Sequence, residues 1–179
     1  MQAQKQNESR SVWKFDREHS IVEFAIKKLW FITVKGRLAN LNGSIVLDED
    51  SVSGSSVEAT IETPSIDTGN KQRDEQLRSR SFLHASDYPK IEFHSAAVGP
   101  GRDRDMLSVK GALKIRDQSR EVVLDVTEVD RSKSPNGEEV IYFVAETELD
   151  RHDFGVSGWR GVVGAKLKVV INVQANRVG

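Results

Sequence analysis

The feature that most restricts what this chain can fold into is an alternation of apolar and polar residues that recurs in segment after segment. It runs through Val22, Phe24 and Ile26; Ile45 and Leu47; Val57, Ala59 and Ile61; Ile91 and Phe93; Leu107 and Val109; and Leu113 and Ile115. Val122, Leu124 and Val126 continue it, then Val140, Tyr142 and Val144, and finally Leu167, Val169, Ile171 and Val173. A side-chain period of two puts one face of a segment in a core and the other in water, so these read as roughly eight to ten half-buried strands. Asn42-Gly43, Asp48-Glu49-Asp50, Gly99-Pro100-Gly101, Arg116-Asp117-Gln118-Ser119 and Ser134-Pro135-Asn136-Gly137 supply reversals too short for helical crossovers. The expectation is an all-β, antiparallel sheet, wet outside and apolar inside, closed as a barrel or paired as a sandwich.

Two stretches break the rhythm. Residues 67–89 begin with a polar run in which Thr68 or Asn70 can cap a helix over about 70–80, and Pro89 bars helix beyond it. That helix carries one apolar residue, Leu77, before Phe82 and Leu83 arrive. Too polar to cross a core, it belongs at a sheet edge or over a barrel end, held by those three side chains. Asp74 and Arg78 have the spacing of a surface i, i+4 pair. In the sharper reading Arg73 and Asp74 tie the helix to the rim, leaving Arg78 or Arg80 for a polar head group. The second break, residues 151–165, has four glycines and reads as a long bent connection or a bulged strand.

Length and composition exclude much else. The 179 residues suit one domain, here 12–179 after a mobile tail over 1–11. With 26 basic against 27 acidic residues the net charge is −1, which gives no general pull toward nucleic acid or an acidic membrane. The absence of cysteine removes disulfides, thiolate metal sites and a cysteine nucleophile. The N-terminus lacks the basic and apolar regions of a secretory signal, which suggests a cytoplasmic protein, and no apolar stretch is long enough to span a bilayer. The four histidines lack metal-binding spacing, and Ser81, His84 and Asp87 fit the end of a helix better than a catalytic triad. An enzymatic alternative is a hydrolase or isomerase using His84 or His152 with a carboxylate inside the barrel.

From Ser65 to Ser95 the chain reads SIDTGNKQRDEQLRSRSFLHASDYPKIEFHS. Its Ser-x-Asp-Thr turn, Arg-Asp pair, Leu-Arg-Ser, Phe and Tyr-Pro-x-x-x-Phe resemble the signature of the YceI-like family, polyisoprenoid-binding proteins with a lipocalin-like barrel. Asp16 with His19-Ser20, Val34 to Arg37, Gly111 to Ile115 and Asp153-Phe154-Gly155 extend the resemblance over residues 13–176. It implies a single extended antiparallel barrel of about eight strands around a long apolar tunnel for an isoprenoid or fatty-acyl chain. The ligand is then a lipid, with no catalytic residue, metal or other cofactor, and no nucleic-acid partner. Expected tail contacts are Val22, Phe24, Ile26, Val57, Ile61, Leu77, Phe82, Phe93, Leu107, Val109 and Trp159, the last either lining the tunnel or covering its outside. Arg73, Asp74, Arg78 and His84 are the expected head-group or rim residues, and an exposed edge or rim leaves room for a homodimer. Many family members are secreted, whereas this sequence begins without a recognisable signal.

Overall fold

The computed structural model describes residues 9–179. Its strands are β1 (Arg10–Phe15), β2 (Ile21–Lys28), β3 (Ile32–Leu38), β4 (Leu41–Asp48), β5 (Ser56–Glu62) and β6 (Ile66–Asp67), then β7 (Lys90–Pro100), β8 (Met106–Ile115), β9 (Gln118–Lys133), β10 (Glu139–Asp150) and β11 (Val163–Val178). One α-helix, α1 (Lys71–Arg78), stands between β6 and β7. Because β1 begins at Arg10, Arg10 and Ser11 belong to the sheet and Ser9 directly precedes it; residues 1–8 of the expected tail lie outside the described residues.

Eight strands close the barrel in the order β1-β4-β5-β7-β8-β9-β10-β11, with β11 returning to β1. All neighbours are antiparallel, as the short turns require. The 16-residue β11 makes the closure possible: its C-terminal end pairs with β1, while Val163 to Asn172 pairs with β2, which carries β3 and the two-residue β6. Buried side chains form two apolar clusters, one around Trp13, Leu41 and Ile141 and one around Phe93, Val109 and Phe154. Between them stand Val57, Ala59, Ile61, Leu77, Leu83, Val126, Leu149 and Ile171, which touch both.

The alternation read from the sequence gives the inward face of most strands correctly, with one exception and one misplaced turn. In β10 the inward residues are Phe143, Ala145, Thr147 and Leu149, so Tyr142 and Val144 point outward. The stretch VIYFVA is apolar on both faces, so hydropathy cannot select a parity, and a slip of one residue inverts the whole set. Asn42-Gly43, a turn signal in sequence, lies within β4, and the reversal falls at residues 39–40. Glycine is required there by close approach: a Cβ on Gly43 would stand 2.2 Å from the Glu58 carbonyl oxygen and 2.4 Å from the Phe15 ring.

At the far end of β4, nearly buried Asp48 ties down the chain start. It accepts hydrogen bonds from the amides of Ser51 (3.1 Å) and Asp50 (3.2 Å), from the Ser9 hydroxyl (3.1 Å) and from Arg10 Nε (3.3 Å). These donors, the Ser51 amide foremost, hold its pKa below the usual aspartate value of 3.8, with burial opposing them. A lowered folded-state pKa adds stability that is complete above the unfolded value and lost as pH falls through the folded one. Asp48→Asn is therefore expected to flatten the pH–stability curve below about pH 4, measured by urea unfolding from neutral to acid pH. An unchanged acid slope would assign the acid sensitivity to other carboxylates.

Candidate functional site

Inside the barrel lies a cavity of about 280 Å³, to which every strand contributes a wall. That is close to the lower bound of ligand pockets, roughly 300–1,000 Å³. Ten of the eleven residues expected to contact a tail line it: Val22, Phe24 and Ile26 from β2, Val57 and Ile61 from β5, Phe93 from β7, Leu107 and Val109 from β8, and Leu77 and Phe82 from the α1 region. Two of the phenylalanines lean over glycines. A Cβ on Gly36, which faces Phe24 across the β2–β3 ladder, would lie 2.4 Å from that ring, and one on Gly111 would lie 2.6 Å from Phe93. The rings thus occupy space that side chains on neighbouring strands leave open, and the lumen stays clear.

α1 and the residues after it close one end. Asn70 caps the helix by accepting from the Arg73 amide (3.0 Å), and the helix stops at Arg78. Leu77, Phe82 and Leu83 all face the cavity, which is the fixing role their isolation in a polar stretch suggests. The connection from β10 to β11 opens with a 3-10 turn, Arg151–Phe154, and packs on the same segment. The Gly158 amide donates to the Ser81 carbonyl (2.9 Å), and Arg116 donates to the carbonyls of Phe82 (3.3 Å) and Gly155 (2.8 Å). Trp159 is not part of the lining. It is half exposed and meets Phe82 edge-on from outside, with ring centroids 6.5 Å apart.

Three of the charges expected at the rim, Arg73, Asp74 and Arg78, bond to the protein's own backbone and to Thr68. Buried Asp74 accepts from the Thr68 amide (2.8 Å) and hydroxyl (2.6 Å), so the surface pair with Arg78 does not form. Arg73 donates to the Thr68 hydroxyl (2.7 Å) and carbonyl (2.8 Å), and Arg78 reaches back to the carbonyls of Pro64 and Ile66, both at 3.1 Å. Of the two arginines considered for a head group, Arg78 is therefore committed and Arg80 is exposed at the surface. His84 sits outside the lining, 3.4 Å from Asp87 and edge-on to Tyr88. His152 is also outside it, with Nδ1 3.8 Å from Asp150. On the β1–β2 turn, Asp16, Glu18 and His19 bring ligand-type atoms within 4.8 Å of one another, all exposed, and such a turn by itself defines no site.

Arg151 is the residue the sequence did not single out. It is 5% exposed and is the one charged residue among those lining the cavity. Nε donates to the Gly164 carbonyl (2.8 Å), Nη1 to those of Val156 (2.9 Å) and Gly158 (2.7 Å), and Nη2 to that of Val163 (3.0 Å). Its guanidinium carbon lies 5.8 Å from the Phe82 ring centre. Burial, followed by the neighbouring charge of Arg160, lowers its pKa below the ordinary arginine value, and Asp150 opposes the shift. Strand parity was the available signal: Phe143, Ala145, Thr147 and Leu149 lead directly to Arg151 on the inward face.

An antiparallel eight-stranded barrel with an apolar lumen, capped at one end by a short helix and a glycine-rich connection, is a lipocalin-like fold. The chain belongs to the YceI-like family, whose domain model matches residues 13–175. A UPF0312 protein of Pectobacterium atrosepticum is 31% identical over 167 residues, covering 92% of this chain and 86% of that protein. Among solved structures, Burkholderia cenocepacia BcnA superposes with a TM-score of 0.80 at 21% identity, over 89% of this chain and 98% of that one. A polyisoprenoid binding domain from Saccharophagus degradans superposes with a TM-score of 0.69 at 14% identity, over 94% and 99% of the two chains. At those identities the two structures establish a common fold.

Proposed function

We propose that this protein binds a long-chain amphiphile, polyisoprenoid or fatty-acyl, in its lumen, and that it carries or stores the chain without transforming it. The observation that carries this reading is the cavity itself, walled by aliphatic and aromatic side chains from every strand with Arg151 as its one charge. Each methylene moved from water into such a wall gains about 0.8 kcal/mol, so a long chain is held with few polar contacts and with little selectivity for its identity. The name of the Saccharophagus degradans domain, which shares the fold, supports an isoprenoid as one candidate ligand. Carriage is favoured over turnover because His84 and His152, the two histidines considered for catalysis, both stand outside the lining.

The four carbonyls on Arg151 use four of the five N–H groups of a guanidinium. The fifth provides a donor for a polar head at the capped end, with the tail running along the lumen. Organic extraction of the purified full chain followed by mass spectrometry is expected to yield an isoprenoid or fatty-acyl species in near-stoichiometric amount. An extract indistinguishable from that of a solid-core protein, together with no uptake of a fluorescent fatty acid, would reject the proposal.

A further inference from the structure

Of the ten large hydrophobic side chains exposed among the described residues, six lie in two loops: Leu29, Trp30, Phe31 and Ile32 at the β2–β3 tip, and Trp159 and Val162 before β11. Trp30 is 91% exposed and Phe31 78%. The two loops are joined, because the Leu29 amide donates to the Val162 carbonyl (2.8 Å) and Lys28 pairs with Val163. Leu29, Trp30 and Trp159 have φ of 51°, 68° and 54°, the left-handed region that favours glycine or asparagine. A hairpin tip of Asn-Gly would relieve both the strain and the exposure, so folding alone does not call for bulky apolar residues here.

Within the two segments that form this tip the charges have one sign. No acidic residue occurs from Phe24 to Leu47 or from Phe154 to Lys168, a local bias hidden by the net charge of −1. Lys27, Lys28, Lys35 and Arg160 flank the aromatic side chains, and none of the four makes an ion pair among the described residues. We infer that this end of the barrel docks on an anionic lipid surface, with Trp30, Phe31 and Trp159 in the head-group boundary and the basic side chains at the phosphates. The docked face adjoins the lumen: Trp159 rests on Phe82 and Val163 pairs beside the tip, and both Phe82 and Val163 line the cavity. A second copy of the chain fits this face poorly, since a two-fold contact would set the basic loops against each other without a carboxylate between them.

The proposal goes beyond the ligand reading, and its test is read whether or not the lumen holds a chain. The full chain is sedimented with vesicles of phosphatidylcholine plus phosphatidylglycerol and with vesicles of phosphatidylcholine alone. Binding is expected to the mixed vesicles, with a blue shift of tryptophan emission from Trp30 and Trp159, since Trp13, only 2% exposed, already sits in an apolar site and adds a constant background. The double variant Trp30→Ser/Phe31→Ser, at exposed positions that leave the barrel intact, is expected to partition at least about tenfold more weakly. Raising salt, which shortens the screening length from about 10 Å at 0.1 M to 3 Å at 1 M, is expected to abolish the preference for mixed vesicles. Equal partition of the variant and the unmodified chain would overturn the assignment. So would a chain that ignores both vesicles but sediments as a dimer that the double variant dissociates, which would give the patch to a second copy.

Discussion

Arg151→Ala is expected to lower the unfolding free energy by about 3–5 kcal/mol, because four backbone carbonyls, one buried and three part-buried, lose the donor of a buried guanidinium at once. Those carbonyls belong to Val156, Gly158, Val163 and Gly164, so the loss falls on the connection that covers the capped end. Arg151→Lys is expected to recover less than half of it. An ammonium is a compact point charge on a flexible stem and cannot aim at four acceptors spread across a planar fork. Urea unfolding followed by the fluorescence of Trp159, which stands on this connection, measures the effect. Full recovery by lysine would mean that charge alone matters and that the fork geometry described above is incidental.

Ala59→Trp is expected to abolish most lipid binding while leaving the barrel folded. Ala59 lines the cavity from β5, and an indole there takes the place of about four methylenes of a bound chain. At about 0.8 kcal/mol each this removes about 3 kcal/mol of binding, on the order of a hundredfold in affinity. The control is Val123→Trp on the outer face of β9, where the side chain is 43% exposed and an added ring meets solvent. Displacement of a fluorescent fatty acid, read beside the melting temperature of each variant, separates a filled lumen from a damaged fold. Native affinity in Ala59→Trp at an unchanged melting temperature would place the ligand somewhere other than this cavity.

Much of this molecule follows from the sequence by way of the strand period. Residues such as Val22, Phe24 and Ile26 share a face because successive side chains point to opposite sides, and that face has only the lumen to turn to. The same rule fails where a strand is apolar on both faces, as in β10, and it carried Arg151 out of view with the misread parity. Gly43 misleads for another reason. Its glycine answers to the Phe15 ring and the Glu58 carbonyl, which belong to strands remote in sequence.

The polar stretch before β7 divides along the same line. Its composition alone places a helix outside the core and makes Leu77, Phe82 and Leu83 its only possible anchors. Where its charges point is a tertiary matter, because Asp74, Arg73 and Arg78 bond to Thr68, Pro64 and Ile66, whose positions depend on how β6 meets β3. Alternation, turns and helix polarity are local properties, so an antiparallel, one-sidedly apolar sheet with an external helix is legible in the residues alone. That the ring closes through β11 and β1, that Arg151 faces inward and that Trp159 stands outside each depends on a pairing or contact between distant segments, which no local pattern encodes.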